Sequence, residues 1–219
     1  MKKIFVLLIA TVFNFAISFA QQEVKESNSQ KRDITTFHSI DVSSGIEVII
    51  TKGDKEELAV SVNDLSYLNQ VKTVVSNGVL KILREGEWKF WNTWKNWSVR
   101  VYVSYKDLDK IVVSSGAKLK GTDMSLSSLT ARASSGAQIQ LTGQADYLDV
   151  DVSSGSSFRG YDFAVTKCKA EASSGAGIQI NVKKELSAEA SSGGNIKYKG
   201  NGSIRDINVS SGGSVKRQS

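Results

Sequence analysis

The chain has 219 residues, with 28 Lys and Arg against 22 Asp and Glu, one His, one Cys and no Pro. One Cys excludes an internal disulfide and any multi-cysteine zinc or iron–sulfur site, and one His excludes a two-histidine metal site. The missing Pro suits a body of uninterrupted strands, whose inner ladders a proline would break.

Residues 1–20 read as a secretory signal peptide. Lys2 and Lys3 form the charged start, residues 4–10 begin an apolar run, and Ser18 and Ala20 supply the small residues of a cleavage site. The run is short for a span that needs ~20 residues, so no transmembrane segment is expected after cleavage. No Cys lies near the site, so a lipoprotein anchor is not expected. Without Lys2 and Lys3 the net charge is mildly basic and dispersed, which does not point to nucleic acid. Residues 21–33 are polar with one Val, too little apolar surface to offset ordering, and read as a flexible leader.

Residues 34–110 carry strand chemistry without strict repetition. His38 precedes the first apolar alternation and reads as an incidental strand-edge residue. Ile46, Val48 and Ile50 alternate, as do Leu58, Val60 and Val62. Asn63 is placed to cap a short helix over 64–71, and residues 74–80 read as a hairpin about Asn77-Gly78. Residues 87–97 then hold all four tryptophans, Trp88, Trp91, Trp94 and Trp97, at every third position. That spacing predicts a loop or a single turn. It serves either as a platform for sugar rings, peptide or membrane interface, or as a cover folded over the solenoid flank or end. Val99, Val101 and Val103 form one more strand before the array begins.

Residues 111–217 repeat. Ser-Ser-Gly ends at Gly45, Gly116, Gly136, Gly155, Gly175, Gly193 and Gly212, with steps of 18 to 20 residues from Gly116 onward. Gly45 lies outside the array or is separated from it by an insertion. Before each tripeptide, apolar and polar residues alternate: Leu148, Val150 and Val152 interleave with Asp149 and Asp151. After it the alternation resumes, with Leu119, Ile139, Phe158, Ile178 and Ile196 inside and Lys120, Gln140, Arg159, Gln179 and Lys197 outside. Each unit is therefore strand, corner, strand and return. Gly serves a positive φ or a close approach between coils, and the Ser hydroxyls can satisfy backbone groups there. A twenty-residue unit cannot bury its own apolar face, so units stack into a parallel β-solenoid, continuous with 34–110 as one domain. Cys168 stands in the column of Leu129, Leu148 and Leu186 and reads as core.

Asp151, Glu171 and Glu189 form an outward acidic column. Such a stack can serve a polysaccharide lyase or glycoside hydrolase, or hold a hard cation. No calcium nonapeptide accompanies it, and a solvated face is the plainer reading. The repeated Ser has no base beside it, so no catalytic residue, metal ligand or cofactor site is assigned. The sequence thus favours a non-enzymatic binding or structural protein, with an enzyme of the acidic column as the alternative. A glycan, cell-surface polymer or partner protein is the expected partner, and the solenoid flank or end is a place for homo-oligomerisation.

The phased corners, such as Val-Ser-Ser-Gly-Ile at 42–46 and Val-Ser-Ser-Gly-Ala at 113–117, resemble the autotransporter-adhesin "head GIN domain" family of Bacteroidetes over 37–215. The resemblance implies an all-β fold, a right-handed parallel β-helix like that of pectin lyase without its catalytic residues. It also implies export to the periplasm or cell surface of a Gram-negative bacterium and a role in adhesion. It assigns no functional residues.

Overall fold

The computed structural model describes residues 28–85 and 98–218. The leading segment 1–20 and the tryptophan cluster lie outside them. The described strands join in one sheet that winds about a shared core.

The regular coils are built from four long strands, β9 (Lys118–Ala133), β10 (Gln138–Val152), β11 (Ser157–Ala172) and β12 (Gly177–Ala190), which pair in parallel. Register places Leu129, Leu148, Cys168 and Leu186 one above another, as period-2 alternation requires. Leu119, Ile139, Phe158 and Ile178 form a second column after the corner. All are buried, and each Leu, Ile or Phe so placed contributes roughly 1.5–3 kcal/mol. Cys168 fills a leucine's place, and burial pushes its thiol well above its ordinary value, so it is core rather than nucleophile.

Each corner is a turn with positive φ at both central residues, for example Ser115 at 52° and Gly116 at 71°, closed by Ala117 N–H donating to Ser114 O. The glycine N–H then donates to the serine carbonyl one coil on: Gly116 to Ser135, Gly136 to Ser154, Gly155 to Ser174, each 3.0 Å. The corner therefore continues the ladder. At Gly116, Gly136, Gly155 and Gly175 an added Cβ would meet nothing within 4 Å, so φ and not close approach selects glycine there. The backbone bonds itself, and among the described residues no hydroxyl of the Ser-Ser-Gly serines bonds to backbone, whereas Ser156, which closes the corner after Gly155, accepts from Ala137 N at 3.1 Å. The variable step length is absorbed at the far bends, where the register slips between Gln140 and Gly143 and between Gly160 and Ala164.

The first Ser-Ser-Gly stacks directly on the second: Gly45 N–H donates to Ser115 O. On its two sides β2 (Ser39–Val42) pairs in parallel with β8 (Lys110–Val113), and β3 (Glu47–Lys52) with β9. The long first step is thus an insertion between adjacent coils. Part of that insertion covers the N-terminal end. β6 (Val79–Arg84) lies parallel on β2 and is closed by antiparallel β5 (Val71–Ser76). β7 (Val99–Tyr105) lies parallel on β3 and is closed by antiparallel β4 (Glu57–Val62). The β5–β6 hairpin turns on Asn77 and Gly78, both at positive φ. His38 sits where β2 enters, its Nδ1 3.1 Å from the Asp109 carboxylate.

Two expectations need correction. The end of the leader is not wholly free: β1 (Ser29–Arg32) pairs antiparallel with β4. Arg32 anchors it by donating to Leu68 O at 2.8 Å and Thr73 Oγ1 at 3.1 Å, bonds that the leader's own composition does not announce. The short helix is a 3-10 segment, Leu65–Gln70, capped by Asp64, whose Oδ1 accepts from Ser66 N. Asn63 Oδ1 instead accepts from Ser98 N.

At the other end β13 (Asn195–Lys199) and β14 (Ser203–Val209) pair with β12, and β15 (Ser214–Arg217) pairs with β13. Ile204, Ile207 and Val209 of β14 are exposed.

Candidate functional site

The inward half of the long coil strands β9 to β12 is committed to the core, so function rests on the outward half. The strands before the corners form one face and those after the corners another, and their chemistry differs.

The face before the corners carries the acidic column. Asp151, Glu171 and Glu189 are neighbours in register, as the repeat predicts, with Arg132 beside Asp151. Of these acids, Glu171 is closely paired, whereas Glu189 makes no ion pair among the described residues. Arg132 donates from Nη1 and Nη2 to both oxygens of Asp149 at 3.0 and 2.9 Å, and its Nε lies 3.9 Å from Asp151 Oδ2. The Asp149 carboxylate holds the Arg132 guanidinium above its ordinary pKa. Lys169 lies 2.7 Å from Glu171, and Lys167 3.2 Å from Glu185. Among the described residues no cluster of His, Cys, Asp and Glu could hold a metal. Arg159 lies on the other face, while Lys169 lies beside Glu171.

The face after the corners has two outward columns. One runs Lys118, Gln138, Ser157, Gly177, Asn195 and Ser214; the other runs Lys120, Gln140, Arg159, Gln179, Lys197 and Lys216. From Lys118 to Lys216 neither column holds an acid. At the N-terminal end Glu47 accepts from Lys120 at 2.8 Å and Arg100 at 3.0 Å, and these bonds, Lys120's first, hold its carboxyl below the ordinary range. Lys118, Arg159, Lys197 and Lys216 make no ion pair among the described residues. The second column continues upward through Ile49 and Tyr102. These two line a shallow depression of about 240 Å³ with Lys31, Thr51, Glu57 and Ser104. A second depression, of about 320 Å³, lies at the far bends and is lined by Ser125, Gln144, Asp146, Thr166 and Lys183. Neither contains Asp151, Glu171 or Glu189.

The alternation of the sequence already turns the residues of this basic ladder outward. The signal was their regular sign: cations alternating with amides and never an acid. Of the binding residues the sequence did mark, Trp88, Trp91, Trp94 and Trp97 fall outside the described residues.

These features define a parallel β-solenoid whose chemistry lies on long outer ladders. Residues 36–202 match the family "Putative auto-transporter adhesin, head GIN domain", and the chain belongs to that family. A solved "putative adhesin" from Bacteroides fragilis superposes with a TM-score of 0.68 at 15% identity, covering 87% of this chain and 96% of that one. One from Parabacteroides merdae gives 0.53 at 16% identity, covering 88% and 96%. One from Parabacteroides distasonis gives 0.53 at 17%, covering 87% and 96%. At these identities the likeness is one of fold. No curated protein matches the chain. No helix among the described residues is long and apolar enough to cross a membrane.

Proposed function

We propose that the protein is an exported, non-enzymatic, adhesin-like binding protein that takes an extended polymer, a glycan or another cell-surface chain, on the outside of its solenoid. The observation that supports it is the long in-register outer ladder. The acids of the hydrolase alternative support it less: Glu171 is neutralised by Lys169, Asp151 lies 3.9 Å from the Arg132 guanidinium, and neither depression includes Asp151, Glu171 or Glu189. Export rests on the charged start, apolar run and small-residue cleavage site of residues 1–20.

The test is a glycan array probed with the chain from residue 21 onward and with a variant carrying Trp91→Ala and Trp94→Ala. Binding to a defined class of polymer without turnover is the expected result. The double substitution decides whether the tryptophans share in it. Binding to nothing on the array, or cleavage of a glycan, overturns the reading.

A further inference from the structure

The ladder after the corners carries a more specific reading, which rests on the polymer-binding function just proposed. We propose that this face is a binding track for a linear acidic polysaccharide lying along the solenoid axis, with Arg159 and Lys197 meeting its acid groups and Tyr102 receiving a sugar ring at one end.

Spacing is the first argument. Adjacent rungs lie about 4.8 Å apart. Lys120, Arg159 and Lys197 occupy every second rung, with Gln140 and Gln179 between them. The two unpaired cations Arg159 and Lys197 therefore stand about 9.6 Å apart. That is close to the length of one disaccharide in an extended chain, the period at which a polysaccharide with an acid on alternate sugars presents its charges. The intervening amides offer both a donor and an acceptor, which suits hydroxyls on the uncharged sugars.

Charge is the second argument. Arg159, Lys197 and Lys216 have no anion within the described protein, while cations of the opposite face, such as Arg132, Lys167 and Lys169, are paired. A stack of unneutralised cations on neighbouring strands is unfavourable by itself and is relieved by an external polyanion.

The third argument is independent of charge. Tyr102 and Ile49 continue the same column into the depression at the N-terminal end. An aromatic face beside a shallow hollow is what a sugar ring stacks on. From Tyr102 to Lys216 the column spans seven rung steps, about 34 Å. Among the described residues the column holds one aromatic, Tyr102, rather than a series on which successive bases could stack, which favours glycan over single-stranded nucleic acid.

The experiment measures binding of the chain from residue 21 onward to hyaluronan, which bears a carboxylate on alternate sugars, to polygalacturonate, to neutral dextran and to a single-stranded DNA oligonucleotide. It is repeated with Arg159→Gln plus Lys197→Gln, and with Lys110→Gln plus Lys167→Gln on the opposite face as a charge-matched control. Hyaluronan binding that weakens at least tenfold in the first variant, with a shallower salt dependence, and hardly changes in the control is the expected result. Equal loss in the control overturns it, because net charge alone would then be at work. DNA bound as tightly as hyaluronan, with the same loss, makes the face a nucleic-acid site. Neutral glycans bound equally by wild type and variant, with no acidic glycan bound, overturn the track while leaving polymer binding standing. Binding to nothing overturns both.

Discussion

Two glycines that look interchangeable in the repeat should behave differently when a methyl group is added. Gly155 sits at a corner with φ of +69°, and a Cβ there meets nothing within 4 Å. Gly155→Ala therefore incurs only the left-handed backbone penalty, about 1–2 kcal/mol, less the roughly 0.4–1 kcal/mol gained by restricting the unfolded chain. The net loss is about 1 kcal/mol. Gly155→Asn should recover part of it, because Asn tolerates this region through local hydrogen bonding. Gly194 follows the next-to-last corner and occupies the position held by Ala117, Ala137 and Ala176 in other coils, so alanine looks harmless there. Its Cβ would instead lie 2.1 Å from the Ala172 carbonyl oxygen, and the backbone of the adjoining coil would have to move. Gly194→Ala should cost clearly more than the ~2 kcal/mol ceiling of the backbone term. Urea titrations followed by far-UV circular dichroism supply the comparison, read from midpoints at unchanged slope. If Gly155→Ala costs as much as Gly194→Ala, or Asn is no better than Ala at 155, corner glycines are not chosen for φ.

Two further outcomes follow from buried and paired groups. The Tyr105 hydroxyl is fully buried without a partner, and burial pushes its phenol up to about 12, so Tyr105→Phe should stabilise the protein by about 1 kcal/mol in the same titration; a loss would mean the hydroxyl is satisfied. Glu47 is held below its ordinary pKa of 4.5 by Lys120 and Arg100, so its contribution is present above that value and fades as pH falls below it. Glu47→Gln should lower the melting temperature at pH 7 and progressively less as the pH drops through the acid range; a pH-independent difference would refute the linkage.

The sequence reported the coil register because each inward position answers to one requirement, burial against the same position above and below. Leu129, Leu148, Cys168 and Leu186 announce one column through their shared phase with the corner, and the structure stacks them so. The corners were legible for the same reason, but not which property of glycine they use, since φ and empty space leave the same letter. β1 was not legible: Arg32 is held by Leu68 and Thr73, 36 and 41 residues away, and nothing local encodes them. The acidic column was legible as a stack, whereas its neutralisation by Arg132 reaching to Asp149 depends on side-chain reach between rungs. The basic ladder could be read residue by residue, yet its meaning needed knowledge of which cations find a partner: Lys120 pairs with Glu47 of β3, while Arg159 and Lys197 make no ion pair among the described residues.

Outward residues are free of the folding requirement, so their sign is set by what like charges cost one another. Two cations on adjacent rungs, about 4.8 Å apart, repel by roughly 0.9 kcal/mol even at the dielectric constant of water. Separated by an amide rung, at about 9.6 Å, they repel by about half as much, and physiological salt screens over a similar length. The face before the corners manages dense charge by pairing, with Arg132 on Asp149 and Lys169 on Glu171. The face after the corners manages it mainly by dilution, with Gln140 and Gln179 on either side of Arg159, while Lys120 is paired with Glu47 and Lys197 lies one rung from Lys216. Pairing spends the charge inside the protein. Dilution leaves it available to an external anion, and that difference, more than net charge, distinguishes the two faces as binding surfaces.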